Sequence, residues 1–209
     1  MARYGIHSEK VFGVSMQTMR PLIKSLGRDH PLALALWETG WLEARIVASF
    51  VDVPGDVTSR QMEAWARDFD NWAVCDSVCA HLFDRTPFAW SKARLWSVRR
   101  AEFVRRGAFS LIAGLAVHDK TSPDAAFRSL FRLIERAADD ERNFVKKAVN
   151  WALRQIGKRN PALNRDATVV ARRLADRSEP SARWIGHDAL RELTSPAVAA
   201  RLAARSKSR

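Results

Sequence analysis

The chain has 209 residues, enough for one domain with a sizeable core. Its 35 basic and 23 acidic residues leave a formal charge of +12, which points to a polyanionic partner, either nucleic acid or an anionic membrane surface. The membrane option finds no support: no apolar run approaches the roughly 20 residues of a spanning helix, and Met1-Ala2-Arg3-Tyr4-Gly5 lacks the apolar core of a signal peptide. No Cys/His set has zinc-finger spacing and no Gly-rich phosphate loop is present, so neither a metal nor a cofactor is expected. A reducing cytoplasm is the expected compartment.

Turn residues recur throughout, the segments between them are helix-length, and strand-like alternation is nearly absent. Helices are predicted to begin near Ser15, Pro31, Thr58, Asp70, Pro87, Arg99, Ser122, Glu141, Pro161, Ser178 and Ser195, about eleven in all. Thr58 to Gln61 fits a capping box, and Ser122-Pro123 and Ser195-Pro196 read as an N-cap followed by a first-turn proline. Fraying is expected from Arg205 to Arg209. No linker or composition shift divides the chain, so residues 1–209 are read as a single all-α domain.

The helix beginning near Asp70 carries the most specific pattern. Cys75, Val78, Cys79, Leu82 and Phe83 form an apolar stripe. Trp72 and Asp76 lie four residues apart on one face, and Asp76 falls at the edge of the stripe. A carboxylate there loses hydration unless something pairs with it. It is either a surface aspartate beside a core tryptophan or a carboxylate held for chemistry. The two cysteines, four apart on one helix, are not expected to form a disulfide.

Further along, Phe103-Val104-Arg105-Arg106-Gly107-Ala108 recurs as Phe144-Val145-Lys146-Lys147-Ala148-Val149, offset by 41. The stretch Trp151 to Ile156 is echoed by Asp188 to Leu193, offset by 37. Periods near 40 in an all-helical chain predict HEAT- or armadillo-like helix pairs stacked into a solenoid. Stacking is expected to align Arg105, Arg106, Lys146, Lys147 and Arg183 along a basic concave groove. Trp151 shares a helix face with Lys147, Arg154 and Lys158, which suits contact with a nucleic-acid backbone and its sugars. Trp37, Trp41, Trp65, Trp90, Trp96 and Trp184 are most simply core or repeat-interface residues.

Taken together, these segments resemble the AlkD-type DNA alkylation-repair glycosylases. The resemblance runs over nearly the whole chain, from Ala2-Arg3-Tyr4 and Phe12-Gly13-Val14 through Asn71-Trp72-Ala73-Val74-Cys75-Asp76-Ser77-Val78 and Val104-Arg105-Arg106-Gly107-Ala108 to Phe144-Val145-Lys146-Lys147-Ala148-Val149-Asn150-Trp151-Ala152-Leu153-Arg154. It implies a HEAT-like solenoid that hydrolyses the N-glycosidic bond of cationic N3- or N7-alkylated purines. Its partner would be double-stranded DNA containing alkylated bases, and the enzyme would be a monomer near the nucleoid, without cofactor or metal. The family's tryptophan and aspartate fall on Trp72 and Asp76, its second tryptophan on Trp151 and its groove arginine on Arg106. Asp76 would stabilise an oxocarbenium-like sugar, the two indoles would flank it, and Arg106 would hold a phosphate. Arg105, Lys146, Lys147 and Arg154 would add DNA contacts. The lesion would stay stacked, with no base pocket, and the family's first helix would be absent.

Two other classes keep the same fold. A non-catalytic HEAT-repeat protein recognising distorted or branched DNA would have no need of Asp76 between two tryptophans. A scaffold for protein partners would carry a more apolar concave face.

Overall fold

The computed structural model describes residue 6 and residues 9–207, within which there are twelve α-helices and no strand. In chain order these are α1 (Met16–Leu26), α2 (His30–Glu38), α3 (Leu42–Val51), α4 (Ser59–Arg67), α5 (Trp72–His81), α6 (Ala89–Trp96), α7 (Glu102–His118), α8 (Asp124–Ala137), α9 (Asn143–Gly157), α10 (Pro161–Ala175), α11 (Pro180–Leu193) and α12 (Pro196–Lys207), with a 3-10 turn at Phe83–Arg85.

Local chemistry explains most of the boundaries. The side chains of Ser15, Asp29, Thr58, Asn71 and Asn160 each accept a first-turn N–H of the helix that follows. Where one helix was expected from Pro31 onward there are two. Gly40 adopts φ +73° just after α2, a left-handed conformation that glycine takes without a Cβ penalty, and the chain turns there into α3. The capping box is half formed: Thr58 takes the Gln61 N–H at 3.0 Å, but the Gln61 amide donates to Asp52 at 2.7 Å. Ser122 does not cap α8. Its N–H and hydroxyl go to Asp119, and Pro123 occupies the cap. The segment expected to fray stays helical through Lys207, and residues 208 and 209 lie outside the described residues.

Helices α3, α5, α7, α9 and α11 pack side by side in chain order, while α6, α8 and α10 cover them from one side. The odd-numbered helices lie in closer contact with one another than the even-numbered ones do. The layer whose helices crowd together is the inside of a curved stack, so α3 to α11 form the concave wall. One buried core runs the length of the stack, from Met19 through Trp37, Met62, Phe83, Trp96, Phe109, Phe127 and Leu153 to Leu193.

At the end of α5, His81 stacks on Phe50 of α3 with ring centroids 4.1 Å apart. Burial, reinforced by Arg85, His118 and Arg20, pushes its pKa down from 6.5 to about 4. The unfolded chain therefore binds a proton that the folded chain refuses. This contribution to stability is complete above the unfolded value and is lost as pH falls from 6.5 towards 4. Burial raises the pKa of nearby Asp84, which acts in the opposite sense as pH falls towards its ordinary 3.8. The melting temperature is expected to fall between about pH 7 and about pH 5, and His81→Gln is expected to reduce that fall. An unchanged pH dependence in the variant would contradict the assignment to His81.

Candidate functional site on the inner layer

Asp76 projects from α5 towards α7, where two side chains one turn apart meet it. Its Oδ1 accepts from Arg106 Nε at 2.9 Å and from Ser110 Oγ at 2.6 Å, and its Oδ2 accepts from Arg106 Nη2 at 2.6 Å. The remaining guanidinium nitrogen, Nη1, donates to the Phe144 carbonyl of α9 at 2.6 Å. Burial opposes the charged guanidinium, but Asp76 outweighs it and raises the Arg106 pKa further. A carboxylate oxygen has room for about two donors, so Oδ1 is full and Oδ2 keeps one acceptor direction. The Asp76 side chain retains 21% of its surface. The arrangement is an oriented carboxylate on the concave wall, bound on one side and open on the other.

Close approach of α5 to α7 makes this pairing possible. Cys75 and Cys79 donate weakly to the Phe103 and Gly107 carbonyls at 3.4 and 3.5 Å, and both thiols are free and buried. Burial, with Cys75 beside it, pushes the Cys79 thiol up, so it packs and does not react.

Trp72 opens α5 one turn before Asp76 and packs partly against the core. Trp151 lies on α9, half-buried, and its indole nitrogen is 3.0 Å from the Gln155 side-chain amide, whose oxygen accepts its N–H when the amide is turned over. It sits on the same partly exposed stripe as Lys147, while its neighbour Asn150 is buried and donates to Asp188 of α11 at 2.6 Å. The repeat register is thus 150 opposite 188, one residue from the sequence alignment. The other offset holds, since the Phe103 and Phe144 rings meet at 5.3 Å.

Three of the expected DNA-binding cations are placed otherwise than the charge count suggested. Arg106 is buried, with all three of its nitrogens engaged, and serves as the partner of Asp76 instead of holding a phosphate. Arg105 turns towards the α8–α9 loop and pairs with Asp140 at 2.9 Å, as does Arg142 at 2.6 Å. Burial would raise the Asp140 pKa, but the hydrogen bonds from Arg142 and the Arg105 charge hold it below the usual carboxylate range. Arg154 pairs with Glu192 and lies 3.7 Å from Asp188, and Lys158 also bonds to Glu192 at 2.6 Å. Lys147 is exposed, and Lys146 lies over the Trp184 ring. Ser110 was missed. The available signal was a hydroxyl one turn after Arg106, inside an otherwise apolar run. Among the described residues no group of three or more His, Cys, Asp or Glu is placed to hold a metal ion, and no helix is long and apolar enough to cross a membrane.

Residues 1–193 match the family model described as DNA alkylation repair enzyme. Among solved structures, the chain is similar to a protein described as one of a new family related to the HEAT-like repeat DNA glycosylases, with affinity for branched DNA structures. That match has a TM-score of 0.74 and 18% identity, and covers 90% of this chain and 84% of the other. A designed armadillo repeat protein in complex with the peptide (KR)4 matches with a TM-score of 0.39 at 13% identity, covering 94% of this chain and 95% of the other. A second such design matches with a TM-score of 0.36 at 13% identity, covering 88% and 96%. No curated protein sequence matches the chain. The first structural likeness is one of fold, and it makes the stacked pairs a HEAT-like solenoid.

Proposed function

Because the chain belongs to the DNA alkylation repair enzyme family, we propose that it is a DNA glycosylase that releases cationic N3- and N7-alkylated purines from duplex DNA, with Asp76 as the catalytic carboxylate. The observation that carries this is the carboxylate itself, fixed by Arg106 and Ser110 on the concave wall with Oδ2 still able to accept. Alkylation at N3 or N7 makes the purine a cationic leaving group, so the glycosidic bond is already weak. The enzyme has to stabilise an oxocarbenium-like deoxyribose and direct a water to it. An immobilised carboxylate does both, because it needs no reorganisation as charge develops. Arg106 and Ser110 are positioning residues in this scheme. Trp72 and Trp151 offer electron-rich faces to the cationic sugar from either side of it.

Phosphates fall to the cations that lack carboxylate partners. Lys146 and Lys147 lie in the opening turns of α9, which has no acidic residue in its first turn and no side-chain cap. Cations there oppose the helix dipole, a cost that an approaching anion removes. Neutralising Lys146 and Lys147 together is expected to flatten the slope of log affinity against log salt by roughly 1 to 2 units. An unchanged slope would place both lysines outside the interface.

A panel of single-lesion duplexes tests the activity. Release of N7-methylguanine and N3-methyladenine, scored as abasic sites, with uracil left in place, is the expected result. Release of uracil would require a base pocket and contradict the mechanism. Binding to branched DNA with no release of any base would make the chain a non-catalytic relative.

A further inference from the structure

The formal charge of +12 is distributed unevenly in the folded chain. On α7 and at the C-terminal end of α9 the cations are neutralised: Arg106 by Asp76, and Arg154 and Lys158 by Glu192. Where α9 and α11 begin, the pattern changes. Lys146, Lys147 and Arg183 have no carboxylate within 4.0 Å among the described residues. The nearby acids are already occupied: Glu141 accepts the Ser181 N–H, Glu179 binds Arg177 and Ser178, and Asp188 binds Asn150 and Arg191.

Trp184 follows Arg183 on α11 and meets Lys146. It lies in the second turn of α11 and is 39% exposed, whereas Trp37, Trp65 and Trp96 are buried. It is neither a core residue nor a closed repeat interface. The Lys146 ammonium lies over its ring, 5.2 Å from the centroid. A rigid aromatic face beside several uncompensated cations is the combination by which proteins hold unpaired nucleotides. The ring stacks on a base of any identity while the cations meet the flanking phosphates. In an intact duplex the faces of the bases are covered by their neighbours, so an indole at the edge of the groove finds a partner only where a strand is unpaired.

We propose that Trp184 and Lys146, with Lys147 and Arg183, form a binding site for a nucleotide of a single-stranded DNA segment next to the duplex in the groove. The site rests on the reading of the chain as a DNA-binding protein and adds a contact one helix beyond Trp151. It contributes affinity and no chemistry.

Fluorescence anisotropy tests this with the full chain and two labelled ligands at one salt concentration: a blunt duplex, and the same duplex with a single-stranded tail. The wild type is expected to bind the tailed duplex roughly tenfold tighter, the order of effect of losing one stacked base. Trp184→Ala is expected to bind both ligands equally, with the wild-type affinity for the blunt one, while Trp184→Phe keeps most of the preference. A wild type without tail preference, or a Trp184→Ala variant that retains it, would overturn the site and leave the duplex reading standing. Failure of the wild type to bind either ligand would overturn both.

Discussion

Asp76→Asn is expected to slow the release of N7-methylguanine by about 100-fold or more, the usual cost of removing one preorganised electrostatic group from a transition state. The amide keeps the shape of the carboxylate, and its one oxygen can still accept from Arg106 Nε and Ser110 while its NH2 opposes Arg106 Nη2, so affinity for intact DNA is expected to change little. The variant also leaves the Arg106 guanidinium buried opposite a neutral group. Breaking a buried pair costs about 3–5 kcal/mol, and the partial exposure of Asp76 puts this one near the lower end. At roughly 2–4 °C per kcal/mol for a chain of this size, the melting temperature should drop by about 6–12 °C. Kinetics measured well below that midpoint separate the two effects. A variant as active as the wild type would reduce Asp76 to a structural partner of Arg106.

The largest effect on stability alone is expected at Gly186, where α11 presses on the end of α10. A Cβ added there would lie 2.2 Å from the Ala175 nitrogen and 2.6 Å from the Ala171 carbonyl oxygen. Both are backbone atoms, so a whole helix must shift. Overpacking typically costs about 1–3 kcal/mol and occasionally more, and displaced backbone places Gly186→Ala near about 3 kcal/mol even after the gain in helix propensity of about 1 kcal/mol. Thermal melts check this against Gly107→Ala, whose new Cβ meets nothing closer than 3.4 Å. Similar melting temperatures for the two variants would show that α10 and α11 pack with slack.

These two residues also mark how far the sequence could be read. The apolar stripe from Cys75 to Phe83, the periods near 40 and the proline and Asx starts are local signals, and they led to the helices, the solenoid and the position of Asp76 at a core edge. The break at Gly40 was visible as a glycine after Thr39, but the apolar pattern on both sides concealed it. Gly186 could be seen only as a glycine inside a helix; which backbone crosses it is tertiary information. The same holds for charge. A net excess counts residues, whereas Asp140, Asp188 and Glu192 reach Arg105 and Arg154 from more than 30 positions away and cancel them. Ser110 escaped notice because a single hydroxyl in an apolar run has no period. Trp184 reads from sequence as a core or repeat-interface residue because most tryptophans are, and its exposure is what separates it from Trp37, Trp65 and Trp96.

The most direct measurement is the single-turnover rate at which the wild-type chain, in excess over a duplex carrying one N7-methylguanine, converts that site to an abasic one. The expected result is a rate well above spontaneous depurination that collapses in Asp76→Asn while DNA binding persists. A wild-type rate equal to the spontaneous one, with the DNA demonstrably bound, would contradict catalysis by this site.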